Sequence, residues 1–139
     1  MRVAFAADDE NDTTRAVVAL LVERGIEVVR PAGAEQAASG TDVSASWPDL
    51  GIVMCWTGTG TAIAANKVPG VRAALAWEPW IARGARLWND ANVLAMSLKR
   101  LAPDVAVEVA QAFLDTPAPD PDEAANIARL SELEQRPGA

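Results

Sequence analysis

The residues best suited to chemistry lie in one stretch. Ile52-Val53-Met54-Cys55 closes an apolar run, Trp56-Thr57-Gly58-Thr59-Gly60 follows, and an Ala-rich segment runs from Thr61 to Lys67. The spacing predicts a buried strand, a turn containing two glycines, and a helix. That order sets the only cysteine at a strand's carboxyl end, beside the unpaired N–H groups of a helix N-terminus. Those groups carry positive partial charge and favour an anion. Thiolate is the reactive form of cysteine, so a reactive group beside an anion cradle is the leading functional feature. Plainer readings stand beside it. A lone cysteine at a strand end is commonly a small buried hydrophobe, and a glycine turn between strand and helix often serves structure alone.

The bulk composition narrows the chemistry further. A chain of 139 residues, half of them apolar and 22% charged, suits one globular domain spanning 1–139. The net charge of −7 argues against nucleic acid or an anionic membrane surface as partner. No apolar run approaches the ~20 residues of a membrane span, and Arg2 is followed by strand-like residues and an acidic cluster rather than a signal peptide. One cysteine makes no internal disulfide, which suits a reducing, cytoplasmic setting. Histidine is absent, which removes the usual proton shuttle at neutral pH and, with a single cysteine, argues against zinc.

The elements that must position Cys55 alternate. Arg2–Ala7 reads as a strand, Asp8–Asp12 as a polar loop, and Asn11 or Asp12 as the cap of a helix with Ala16, Val17, Leu20 and Leu21 on its apolar face. Gly25 suits the end of that helix, and Ile26–Val29 is a second strand. Within residues 31–48 only a short helix near Ala34–Ala38 is expected. Strands follow at Gly51–Cys55, Val71–Ala76 and Asn92–Met96. Helices are expected over Thr61–Lys67, from Glu78-Pro79 to about Leu87, and from Pro103 to Phe113. After a Pro/Asp-rich linker, Asp120–Glu123 offers a helix cap. The stripe beyond it is thin: Ala124, Ile127, Leu130 and Leu133. Residues 118–139 therefore suit a helix lying across a partner subunit. Strands and helices alternating in this way predict an α/β fold with a five-stranded parallel sheet, whose ligands bind beyond the carboxyl ends of the strands. Asp8-Asp9, Cys55–Gly60 and Trp88-Asn89-Asp90 are expected to share that edge.

Three blocks carry a resemblance: Cys55 to Gly60, Ile63 to Ala74 (IAANKVPGVRAA), and Asn89 to Ala95 (NDANVLA). They resemble the type B ribose-5-phosphate isomerases and the related galactose-6-phosphate isomerase subunits. The resemblance implies a Rossmann-like three-layer α/β/α fold and a homodimer or dimer of dimers. Its active sites would be shared between subunits and completed by the partner's C-terminal segment. It also implies aldose–ketose isomerisation of a sugar or sugar phosphate through a cis-enediolate, with neither metal nor organic cofactor. By the same resemblance Cys55 is the base that moves a proton between C1 and C2, and the backbone of Thr57, Gly58, Thr59 and Gly60 steadies the enediolate. Asn89 would bind near the reacting carbonyl, Asp8 would contact sugar hydroxyls, and Lys99 and Arg129 would contact phosphate.

Departures from the pattern are concentrated on the substrate. Asp9 and Trp88 stand where the family carries histidines, the latter its ring-opening acid. Trp56 replaces a glycine, Ala125 and Asn126 replace an arginine and a histidine, and Thr61 stands where some relatives have glutamate. These changes count against ribose 5-phosphate as the ordinary substrate. Trp56, Trp77, Trp80 and Trp88 instead offer flat faces on which a sugar ring stacks, although Trp88 follows Ile81 and Ala85 at helical spacing and equally suits packing. Asp9, Lys99 and Arg129 each have a plain reading as solvated surface charge, and Asn66-Lys67 reads as structural. The alternative function is a non-catalytic sugar-binding or regulatory homologue, or one subunit of a heteromeric isomerase.

Overall fold

The structure is a computed structural model that describes residues 1–30 and 48–138. The helix expected near Ala34–Ala38 lies outside the described residues. Five strands, β1 (Arg2–Ala7), β2 (Glu27–Val29), β3 (Leu50–Cys55), β4 (Ala73–Leu75) and β5 (Val93–Ser97), form one sheet in the order β2-β1-β3-β5-β4. Every pairing is parallel. The helices are α1 (Asp12–Glu23), α2 (Thr59–Asn66), α3 (Pro79–Asn89), α4 (Pro103–Leu114) and α5 (Ala124–Glu134), the last preceded by a 3₁₀ turn at Pro121–Glu123. The α/β fold and its five-stranded parallel sheet are as the sequence implied. Boundaries moved by a few residues, most of all at the C-terminal helix, which spans Ala124–Glu134 within the expected 118–139.

The central strands β3 and β5 are apolar on both faces because helices cover both. On one face Val17, Leu20 and Leu21 of α1, Ala82 and Ala85 of α3, and Val109 and Phe113 of α4 pack over Phe5, Ile52, Met54, Leu94 and Met96. On the other, Ala65 of α2 packs with Val53, Val93 and Ala95. Gly51 lets β3 and β5 lie close there: a Cβ on it would stand 3.1 Å from a Val93 methyl.

Local chemistry explains where the elements stop. Asn11, not Asp12, caps α1: its side chain accepts from the Thr14 N–H, and the Thr14 hydroxyl accepts from the Asn11 N–H. Asn11 also donates to the Leu98 carbonyl, tying the start of α1 to the end of β5. Gly25, with φ of 69°, ends the helix in the left-handed conformation expected of it. Asn66 closes α2 by a two-way amide contact with the backbone of Ala73, accepting from its N–H at 2.8 Å and donating to its carbonyl at 2.9 Å. The structural reading of Asn66 is thus the correct one. Among the described residues no helix is long and apolar enough to cross a membrane.

Candidate active site

The sheet order reverses direction between β1 and β3: the chain passes from β1 outward to β2, then returns to the other side of β1. Such a switch point opens a crevice at the carboxyl ends of the two strands. Asp8 and Cys55 flank it. The Asp8 N–H donates to the Met54 carbonyl at 3.0 Å, which sets the two loops side by side.

Cys55 is buried and is the last residue of β3. The chain then turns through Trp56 and Thr57 to Gly58, whose N–H donates to Cys55 Sγ at 3.1 Å. Gly58 is the N-cap of α2, with φ of 80°. A Cβ there would meet Leu75 Cδ1 at 2.5 Å and the Met96 carbonyl carbon at 2.9 Å. Backbone conformation and close packing both demand glycine. The first α2 bond runs from Ala62 N–H to the Gly58 carbonyl, so the Gly60 and Thr61 N–H groups have no partner within the helix. Thr57 and Thr59 join their hydroxyls at 2.6 Å, and the Thr59 N–H donates to the Thr57 hydroxyl. Gly60 faces open space, with nothing within 4 Å of a would-be Cβ.

One residue that sequence reasoning passed over holds this turn. Ser97, level with Cys55 in the β3–β5 register, is buried. Its hydroxyl donates to the Trp56 carbonyl at 2.6 Å and accepts from the Arg100 N–H at 2.9 Å. The turn after β5 is thereby fastened to the turn after β3. The signal was a lone hydroxyl ending the apolar strand VLAMS. Beyond it the Lys99 ammonium lies over the Trp56 indole, 5.1 Å from the ring centroid, which is cation–π distance. Asp8 and Asp9 line a neighbouring cleft of about 410 Å³ together with Glu10, Arg15 and Arg30; Cys55 is not part of that lining. Asp9 turns its carboxylate onto the Glu10 N–H.

Trp88, Asn89 and Asp90 do not share this edge, and the expectation that they would is corrected here. Helix α3 runs back from the end of β4 to the start of β5. Its last residues therefore lie at the amino ends of the strands. Arg72, just before β4, confirms this by donating to the Asp90 carbonyl at 2.7 Å and to the Asp90 carboxylate at 3.2 Å. The five residues of β5 separate that edge from the level of Cys55 by roughly 13 Å. Trp88 is neither core nor neighbour of Cys55: it is 41% exposed, lies over Gly84 and meets Trp80 edge-on at 5.6 Å. Arg129 belongs with the distant group. It lies on α5, which starts beside Leu87, whose carbonyl accepts from the Asp120 N–H, and ends with Glu134 accepting from the Gly70 N–H. Within one chain, then, Asp8 and the turn from Trp56 to Gly60 lie beside Cys55, Lys99 lies over Trp56, Asp9 lines the neighbouring cleft, and Trp88, Asn89 and Arg129 join none of them.

A model of the family described as Ribose/Galactose Isomerase matches residues 3–132. The chain belongs to that family. It is 33% identical over 147 aligned residues to ribose-5-phosphate isomerase B of Escherichia coli, covering 97% of each chain. A D-erythrulose-4-phosphate isomerase of Pectobacterium atrosepticum is 43% identical over 65 residues, which span 47% of this chain and 43% of that one. Among solved structures, ribose-5-phosphate isomerase B of Clostridium thermocellum superposes with a TM-score of 0.84 at 29% identity, covering 97% of this chain and 98% of that one. The Rossmann-like α/β/α architecture is therefore that of the sugar-phosphate isomerases.

Proposed function

We propose that the protein is an aldose–ketose isomerase acting on a sugar or sugar phosphate through a cis-enediolate, with Cys55 as the base. The observation that carries this reading is the Gly58 N–H donated to Cys55 Sγ at the start of α2, beside the β1–β3 switch point. That N–H and the first turn of α2 set backbone donors beside the sulfur. In the forward step the Cys55 thiolate takes the proton from C2 of the open-chain aldose. The C2–H electron pair becomes the C1–C2 double bond, and charge moves onto the former carbonyl oxygen. In the Thr57–Gly60 turn the Gly60 N–H, unpaired within the helix, stabilises that oxygen as an oxyanion hole does, while the Gly58 and Thr59 N–H groups are engaged by Cys55 Sγ and the Thr57 hydroxyl. The hydroxyl proton of O2 passes to the O1 oxyanion. As the charge left on O2 forms the C2 carbonyl, the C1–C2 electron pair takes the proton back from sulfur at C1, giving the ketose and restoring the thiolate. Base and cradle belong to one rigid turn, so the geometry is set before substrate arrives.

Asp8 would accept from sugar hydroxyls, and Lys99, which lies over Trp56, would meet a phosphate. Asn89 and Arg129 reach a Cys55 centre only from a second copy. Association of copies is supported by exposed apolar residues on the faces that carry them: Trp80 and Trp88 on α3, and Leu130 and Leu133 on α5. Helix α5, with no buried residue of its own, is the natural dimer contact.

The deciding experiment is solvent deuterium exchange at C1 and C2, followed by NMR across phosphorylated and free aldoses. Exchange that vanishes in Cys55→Ala supports the reading. Binding of a sugar by calorimetry with no exchange for any of the panel overturns it in favour of a non-catalytic sugar-binding homologue or a subunit of a mixed isomerase. That second reading draws on Asp9 and Trp88, neither of which supplies the proton chemistry of histidine. The same replacements lead us to expect ribose 5-phosphate to be a poor substrate; turnover of it faster than of the other sugars would refute that expectation.

A further inference from the structure

Arg86 of α3 is a cation inside the protein, 6% exposed. Its Nε donates to the Thr116 carbonyl at 2.9 Å, Nη1 to the Ala91 carbonyl at 2.6 Å and Nη2 to the Pro117 carbonyl at 2.9 Å. The guanidinium lies 5.5 Å from the Phe113 ring centroid, with an Asp90 carboxylate oxygen 3.6 Å from Nη1. A buried charge is tolerated only when its donors are satisfied, and here the carbonyls come from two separate segments. Ala91 lies in the corner between α3 and β5, directly after Asn89-Asp90. Thr116 and Pro117 form the linker that launches the 3₁₀ turn and α5, the helix of Arg129.

The corner itself is held in an unusual shape. Asp90 is the only non-glycine with positive φ (48°) among the described residues, a conformation that asparagine and aspartate adopt more readily than other side chains. Its carboxylate is shared between Arg72 and Arg86. One guanidinium therefore fastens the segment after Asn89 to the segment before α5. Both segments lie at the amino edge of the sheet, away from the Cys55 of their own chain.

We propose that Arg86 is a positioning residue: it locks Asn89 and the C-terminal helix into one unit, which is delivered to the Cys55 centre of a second copy of the chain. This rests on the isomerase reading above. Lysine keeps the charge and the stem, but a single ammonium cannot reproduce a fork that engages three carbonyls.

The test is subunit complementation, read by deuterium exchange on whichever sugar the wild-type protein turns over. Cys55→Ala and Asn89→Ala are each expected to be inactive alone. Mixed after partial denaturation and refolding, they regain roughly a quarter of wild-type activity, because half the symmetric dimers then hold one intact site. Arg86→Lys alone should lose on the order of 10- to 100-fold in kcat through misplacement, with little change in KM for substrate. Mixed with Cys55→Ala it should recover as Asn89→Ala does, since its own Cys55 is then served by an intact unit from the other chain. If Arg86→Lys fails to fold, Asp90→Asn, at the more exposed end of the same cluster, is put through the same mixing. Full activity of the substituted protein overturns the proposal. So does failure to complement Cys55→Ala when Asn89→Ala does complement it. If Asn89→Ala and Cys55→Ala do not complement, delivery from a second copy falls, and Arg86's role with it, while wild-type exchange leaves the isomerase reading standing. A wild type that exchanges no sugar overturns both.

Discussion

The Gly58 N–H points at Cys55 Sγ across 3.1 Å, so the residue that ends β3 and the residue that caps α2 form one rigid device. The sulfur receives a donor from the backbone, and the backbone can be aimed that way only because Gly58 accepts φ of 80° with no room for a side chain. The hydrogen bond at Cys55 and the packing at Gly58 are therefore a single constraint.

Gly58→Ala should disable the fold before it disables chemistry. The added methyl would press on the Met96–Ser97 backbone in a conformation that alanine resists. A cost of about 2 kcal/mol or more is expected, read as a fall in Tm of several degrees by calorimetry, with activity lost in parallel.

Cys55→Ala should do the reverse. It removes one sulfur and one weak hydrogen bond, so Tm should shift little. Exchange of substrate protons should drop by about 10²- to 10⁴-fold, the usual contribution of a positioned base. Kinetics and a melting curve on the same preparation separate this outcome from the Gly58 case.

Gly60→Ala distinguishes a ligand cradle from a turn. Nothing lies within 4 Å of the new methyl, and alanine favours a helix over glycine by about 1 kcal/mol. Stability should hold or rise. If the Thr57–Gly60 backbone meets substrate, KM should nonetheless increase, because the methyl occupies the space through which substrate approaches the N–H groups. Unchanged kinetics would remove Gly60 from the site.

Lys99→Met tests the phosphate assignment. The methionine can still lie against Trp56 but carries no charge. KM for a phosphorylated sugar should rise about tenfold, a loss near 1.4 kcal/mol, and the salt dependence of binding should flatten. An unphosphorylated sugar should be almost unaffected. Titration calorimetry at two ionic strengths reads both effects.

Much of this was legible in the sequence because local rules and tertiary context agree. The strand–turn–helix around Cys55, the cap at Asn11, the left-handed Gly25 and the five parallel strands follow from apolar periodicity and from residues with one dominant use. What failed to show was long-range. A helix between two parallel strands must return to the amino edge, and this carries Trp88, Asn89 and Asp90 away from Cys55 however well their residue types match it. Ser97 looked like the polar end of a strand, since only the register with β3 sets its hydroxyl under the Trp56 carbonyl. Arg86 looked like any helix cation. Its burial depends on carbonyls at Thr116 and Pro117, thirty residues farther along the chain.

The clamp that Asn66 places on Ala73 has one more effect. Ala73 opens β4, an edge strand of three residues, and its N–H and carbonyl face away from β5 toward the Asn66 amide. The side chain thus stands in for the strand that would otherwise lie there. At the opposite border β2 is equally short. Short borders, one of them capped, discourage the strand-to-strand recruitment that leads parallel sheets into aggregates.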